Sequence, residues 1–149
     1  MADPLSITAS IITVVQLAGS IASFCLSCNE ATKGKDSIIQ QILEELKGLT
    51  DVLGSLAQLA KEHGPETRCL RALADAGGAL DDCKVLLETL KTELESVLVA
   101  RGMTKLGKIL TWPIKEKEVK ALLERLSQRK STLALALHNV QMYRRTSDL

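Results

Sequence analysis

Four cysteines and two histidines are the first side chains in this 149-residue chain to question for chemistry: Cys25, Cys28, Cys69, Cys83, His63 and His138. Cys25 and Cys28 form a C-x-x-C, which in a thioredoxin-like redox site follows a strand inside a βαβ unit. No such strand precedes them here. On a helix the two thiols stand one turn apart around Leu26, where a free cysteine behaves as a small apolar side chain; an oxidation-sensitive pair and a metal ligand are the lesser alternatives. Zinc would need a second pair at matched spacing, and Cys69 and Cys83 are fourteen residues apart. His63 sits at a helix end before Gly64, and His138 lies in a helical run with no His or Cys nearby. The chain has no G-x-x-x-x-G-K-[ST], no G-x-G-x-x-G and no H-E-x-x-H. The expectation is no catalytic residue, no metal and no cofactor, hence no enzyme. A thiol enzyme using Cys25 and Cys28 is the one enzymatic reading left. The first residues hold Asp3 in place of the Lys or Arg of a secretory leader, so reduced thiols in the cytoplasm are expected.

The elements around these residues follow from composition and period. One Trp, one Tyr and one Phe accompany a large share of Leu, Ile, Val and Ala, which suits helices better than sheets. Asp3 and Pro4 read as an N-cap and first helical residue, opening a helix over about 4–28. Its polar residues Ser6, Ser10, Thr13, Gln16, Ser20, Ser23 and Ser27 recur at steps of three and four, one stripe down the helix. Ser37 and Gln40 make a capping box ahead of Ile38, Ile42, Leu46, Leu49, Leu53, Leu56 and Ala60, a helical series that Gly64 and Pro65 end near residue 63. A third helix over about 66–101 carries Leu80, Cys83, Leu87, Leu90, Leu94 and Val97, with a break expected at Gly77 and Gly78. Pro113 opens a fourth over about 113–145, with Val119, Leu122, Leu123, Leu126, Leu133, Leu137 and Val140 inward. No period-two alternation appears. The reading is one all-α domain spanning residues 1–149, an antiparallel four-helix bundle with a hydrophobic first helix and an interrupted third.

That first helix raises the functional question. Between Asp3 and Glu30 there is no charged residue. Those residues make a helix of about 39 Å at 1.5 Å per residue, against a hydrocarbon layer of about 30 Å. Its apolar members are Leu5, Ile7, Ile11, Ile12, Val14, Val15, Leu17, Ile21, Phe24 and Leu26. At about −0.3 to −0.6 kcal/mol each they sum to roughly −3 to −6 kcal/mol of insertion free energy, before the hydroxyl and amide side chains subtract from it. Such a helix can bury itself in a bundle or in lipid, and context decides. A small and polar face of Ser10, Thr13, Ala18, Gly19, Ser20 and Ala22 permits close helix approach in a membrane oligomer, and equally in a soluble bundle.

Charge is distributed unevenly behind a net +1. Residues 1–100 carry 8 Lys/Arg and 14 Asp/Glu, a balance of −6, while residues 101–149 carry 11 and 4, a balance of +7. The segment Arg101, Lys105, Lys108, Trp112, Lys115, Lys117 and Lys120 suits an anionic membrane surface, with Trp112 at the interface. The competing reading has these cations solvated or paired with the acidic first hundred residues. Without aromatic interleaving or a binding motif, nucleic acid is not expected.

The stretches MADPLSITASIITVVQLAGSI, KLGKILTWPIKEKEV and QRKSTLALAL together resemble the HeLo-like N-terminal domain of fungal STAND proteins, the NOD-like receptors with a central nucleotide-binding module. The resemblance spans essentially the whole chain. It implies a helical bundle acting as a cell-death effector, cytoplasmic at rest and at the plasma membrane once activated. Its implied partners are membrane lipid, anionic lipid included, further copies of itself, and a downstream nucleotide-binding sensor. The family's membrane-targeting helix falls on Leu5 to Leu26 and its small-residue face on Ala18, Gly19 and Ala22. No second glycine stands four residues from Gly19, so the sequence departs from a glycine zipper. The alternative is a helical interaction module that oligomerises without touching lipid.

Overall fold

The computed structural model describes residues 4–31, 37–63, 67–100 and 116–147, with side chains over 7–28, 37–60, 76, 78–96 and 116–142. These residues form four helices: α1 Pro4–Ala31, α2 Ser37–His63, α3 Thr67–Ala100 and α4 Glu116–Ser147. Each contributes an apolar stripe to one core, with Ile11 and Ile21 from α1, Leu46 and Leu53 from α2, Leu80 and Leu87 from α3 and Leu126 and Leu133 from α4, all fully buried. Every inward residue predicted for α2, from Ile38 to Ala60, is buried, and Ile39 and Leu59 join them. In α4 Leu137 is only half-buried, packing against Leu59 and Val140.

The helices are arranged as a square in which α1 packs on α2 and α3, α4 packs on the same two, and α2 and α3 touch lightly across the diagonal. Among the described residues α1 and α4 do not meet. Directions follow from which residues share a seam. Residues 9–14 of α1 line a groove with residues 80–84 of α3, and residues 20–24 line another with 91–95, so α1 and α3 run parallel. Asp82 meets Arg129 while Thr89 and Glu93 lie beside Glu118 and Ala121, so α3 and α4 run antiparallel. Glu45 meets Lys130 and Leu59 meets Val140, so α2 and α4 run parallel. The bundle is thus two antiparallel hairpins, α1–α2 and α3–α4, laid side by side. The expected antiparallel order holds within each hairpin, and α1 and α4 end up on opposite corners.

The expected interruption of the third helix is absent: α3 is helical without a break from Thr67 to Ala100. Each glycine costs a helix about 1 kcal/mol relative to alanine. Around Gly77 and Gly78, Ala76, Ala79 and Leu80 are buried in the core, and packing of an apolar stripe is what stabilises most protein helices. Burial on both sides of the pair outweighs the local preference.

Candidate functional site

The feature that stands apart is the outer face of α1. Residues Ala9, Ile12, Thr13, Gln16, Gly19, Ser20, Ser23, Leu26 and Ser27 are exposed, and at 100° per residue they form one continuous stripe. None carries a charge. The outward faces of the other helices do: Glu44, Lys47 and Asp51 on α2, Asp81, Asp82, Lys84, Glu88, Lys91 and Glu95 on α3, Lys117, Glu118, Lys120, Glu124 and Arg125 on α4 are all exposed. Among the described residues one segment, Ile7–Cys28 of α1, is long and apolar enough to cross a membrane, and only a third of it is buried in the bundle.

The ten apolar residues of α1 divide between the two faces. Ile7, Ile11, Val14 and Ile21 are buried in the core, Val15, Leu17 and Phe24 are half-buried against it, and Ile12 and Leu26 are about half exposed. The side chains of Leu5 and Ser6 lie outside the described residues. The small residues also divide: Ala18 is fully buried, Ala22 is half-buried against the core, and Gly19 is exposed on the outer face. A Cβ built on Gly19 meets nothing within 4 Å, so no packing inside the bundle requires a glycine there. The polar stripe faces water, with Ser10 half-buried at its edge, and two of its members satisfy their hydroxyls within the helix. Thr13 Oγ1 donates to the Ala9 carbonyl at 3.0 Å, and Ser27 Oγ to the Ser23 carbonyl at 3.3 Å. This i−4 bonding lets a hydroxyl face a helix surface without a solvent partner.

Of the basic segment, Arg101, Lys105, Lys108, Trp112 and Lys115 lie outside the described residues. Lys117 is exposed, and Lys120 pairs with Glu116 one turn away at 3.0 Å. Two other cations of the basic end, Arg129 and Lys130, pair with acidic residues of the first hundred. Arg129 Nε lies 3.1 Å from Asp82 Oδ2 on α3, and Lys130 Nζ lies 3.0 Å from Glu45 Oε1 on α2. The second pair is the more sheltered, with side chains 27% and 18% exposed. Glu45 Oε1 is buried without an aligned hydrogen bond, so the ammonium charge itself offsets the carboxylate. Lys130 reaches it by crossing α2 at Gly48, where an added Cβ would stand 3.2 Å from Nζ and 3.3 Å from Cδ. A mid-helix glycine was the available signal for this crossing.

The thiols show no reactive arrangement among the described residues. Cys25, Cys28 and Cys83 are buried in the core and form no disulfide, and the side chain of Cys69 lies outside the described residues. Burial pushes the Cys83 thiol up to about 11, helped by the adjacent Asp82 carboxylate and opposed by Arg129. A thiol so shifted is almost wholly protonated at neutral pH and a poor nucleophile. Exposed His138 stands on α4, and among the described residues no three His, Cys, Asp or Glu side chains gather where a metal ion could bind.

A family model described as the N-terminal region of the pigment biosynthesis cluster protein PigL matches residues 2–148. The chain belongs to the PigL N-terminal family. This is a fungal-type N-terminal domain related to the HeLo-like N-terminal domains. No curated protein and no solved structure matches the chain.

Proposed function

We propose that this PigL N-terminal family member is a non-enzymatic, membrane-targeting effector domain whose α1 rests against α2 and α3 and is delivered to a bilayer when copies cluster. The observation that carries the reading is the outer face of α1, which lacks any charge over residues 4–29, whereas the outward faces of α2, α3 and the first half of α4 carry several. A helix that served only as one wall of a soluble bundle gains nothing from excluding charge on its wet side, where Lys and Glu are favourable. A helix that must also enter lipid is constrained on every side, since each charge near the bilayer centre costs about 2.5 to 3.5 kcal/mol. α1 meets the second requirement.

The relation to HeLo-like domains and the resemblance of the opening, KLGKILTWP and QRKSTLALAL stretches extend this to a specific role. In that role the domain is the cell-death effector of a fungal STAND receptor, with a downstream nucleotide-binding module clustering it. It is cytoplasmic until then and works at the plasma membrane afterwards, without cofactor or nucleic acid. Dye release from anionic and neutral vesicles by the purified chain tests the membrane step. The reading expects release that is lost with Val15→Glu or Leu17→Glu in chains that still fold; release undiminished by those substitutions rules it out. An interaction module without membrane activity is the second reading. It is favoured by the third of the Ile7–Cys28 segment that is buried in the core, and it expects clustering without release.

A further inference from the structure

The two hairpins, α1–α2 and α3–α4, meet along two seams, α1 with α3 and α2 with α4, apart from the light α2–α3 contact. α1 can leave its place in the bundle by either of two routes. In one it peels away alone, breaking the α1–α3 and α1–α2 seams; in the other the hairpins part, breaking the α1–α3 and α2–α4 seams. The α1–α3 seam is common to both. It already holds two grooves, of about 170 Å³ beside Thr13 and Lys84 and about 240 Å³ beside Phe24 and Lys91. The routes therefore differ in the other seam that breaks.

Over residues 4–29 α1 carries no charge, so no ion pair crosses from there to α2. Separating that seam wets apolar side chains and returns no buried ion to water, which is unfavourable over its whole area. The α2–α4 seam is different. Lys130 Nζ and Glu45 Oε1 stand 3.0 Å apart across it and are sheltered, and Oε1 has no aligned hydrogen bond. Attraction in such a pair is largely offset by the hydration both ions have given up, so this stretch adds little to holding the hairpins together. Leu59 and Val140, on the same seam, form a small cluster separate from the main core. We propose that the bundle opens by parting of the two hairpins, with α1 kept on α2, and that Glu45 and Lys130 are the latch. Neutralising Glu45 leaves a sheltered ammonium whose hydration only opening restores. The equilibrium belongs to the bundle itself and does not depend on the membrane step.

Thiol labelling under native conditions reads the opening, with each probe the one core cysteine of its chain. Cys28 reports the α1–α3 seam, since it is buried one turn past Phe24 and two past Ile21, which line the larger groove. Val140→Cys reports the α2–α4 seam, where Val140 is buried with Leu59. Cys25 and Cys83 are replaced by Ala and Cys69 by Ser in both chains, and Cys28 by Ala in the second. Parting of the hairpins predicts one opening constant for both probes, larger than that of global unfolding and less dependent on urea. Glu45→Gln should raise both labelling rates by about five- to a hundredfold. Asp82→Asn, which cuts the exposed pair inside the α3–α4 hairpin, should leave both within about twofold of the parent. A larger opening constant for Cys28 than for Val140→Cys, or a Cys28 rate that Glu45→Gln does not raise, means that α1 peels alone and overturns the inference. Labelling of both probes that tracks global unfolding overturns it as well. The two parent rates decide the matter even where Glu45→Gln fails to fold. No vesicle takes part, so failure here leaves the membrane role standing, and a parent that opens but releases no dye does the reverse.

Discussion

Gly19 gives a perturbation whose effects on the resting bundle and on the membrane state have opposite signs. It is exposed in the middle of α1, and a Cβ there meets nothing within 4 Å. Replacing a helical glycine by alanine gains about 1 kcal/mol, and by glutamate about 0.5 kcal/mol or somewhat more, with no steric cost at an open site. For a domain of this size 1 kcal/mol raises Tm by about 2–4 °C, so Gly19→Ala and Gly19→Glu should both melt at or above the parent temperature. In the membrane the same residue lies about 2 Å along the helix axis from the centre of the Ile7–Cys28 segment at 1.5 Å per residue. An ionised side chain there costs about 2.5 to 3.5 kcal/mol, most of the roughly −3 to −6 kcal/mol that the apolar residues supply. Vesicle flotation should therefore show partitioning of Gly19→Glu reduced about a hundredfold, at 1.4 kcal/mol per factor of ten, and Gly19→Ala partitioning like the parent. A Gly19→Glu chain that is as stable as the parent and floats as well as the parent would refute the assignment of α1 as the lipid-facing element.

Replacing Ser10, Thr13 and Ser20 together by alanine should leave the melt within a degree or two of the parent and vesicle binding intact, since these hydroxyls are exposed or half-buried. Dye release should fall if the stripe joins helices in the membrane, where such bonds are worth about 0.6 kcal/mol each; equal release would mean that it does not. Gly78→Ala should stabilise the chain by about 1 kcal/mol in a urea titration, because α3 runs through that position unbroken with space for the methyl; destabilisation would contradict a continuous α3. Glu45→Gln should cost about 1 to 3 kcal/mol, since it leaves the sheltered Lys130 ammonium uncompensated, while Asp82→Asn at the exposed Arg129 pair should cost about 0.5 kcal/mol or less. The native Cys83 thiol, held at about 11 against 9 when unfolded, binds its proton more tightly in the folded state. Its contribution is therefore constant below pH 9 and is lost between pH 9 and about 11. Stability of the parent should fall more steeply across that window than that of Cys83→Ala, and parallel curves would refute the shift.

The four helices were legible because burial follows period in this chain. The series Ile38 to Ala60 and Val119 to Val140 each predict an inward stripe, and the structure buries every member but half-buried Leu137. Gly77 and Gly78 misled because propensity is local, while the burial of Ala76, Ala79 and Leu80 that overrides it comes from packing between helices distant in sequence. Which helices share a side was also out of reach. Hairpin lengths constrain consecutive helices, but the parallel seams between α1 and α3 and between α2 and α4 are set by how two hairpins pack. Lys130, Gly48 and Glu45 belong to one of those seams, so no spacing along the chain joins them. The uncharged run of α1 was visible at once, yet only the structure separates Ile11, Val14 and Ile21, which the core uses, from Ile12, Gly19 and Leu26, which it does not.

The position of the α1 outer face on vesicles is the direct measure of the central claim. An environment-sensitive fluorophore attached at Ser20→Cys reads that face, and the same label at Val85→Cys on the outward side of α3 is the internal reference; both residues are exposed in the bundle. Labelling is selective because Cys25, Cys28 and Cys83 are buried, with Cys69 replaced by Ser in both chains. With vesicles present the account predicts a blue shift at position 20 and quenching by nitroxides carried deep on the acyl chains, with the label at position 85 unchanged. Emission at position 20 that stays water-like and unquenched while the chain is bound to vesicles would contradict it.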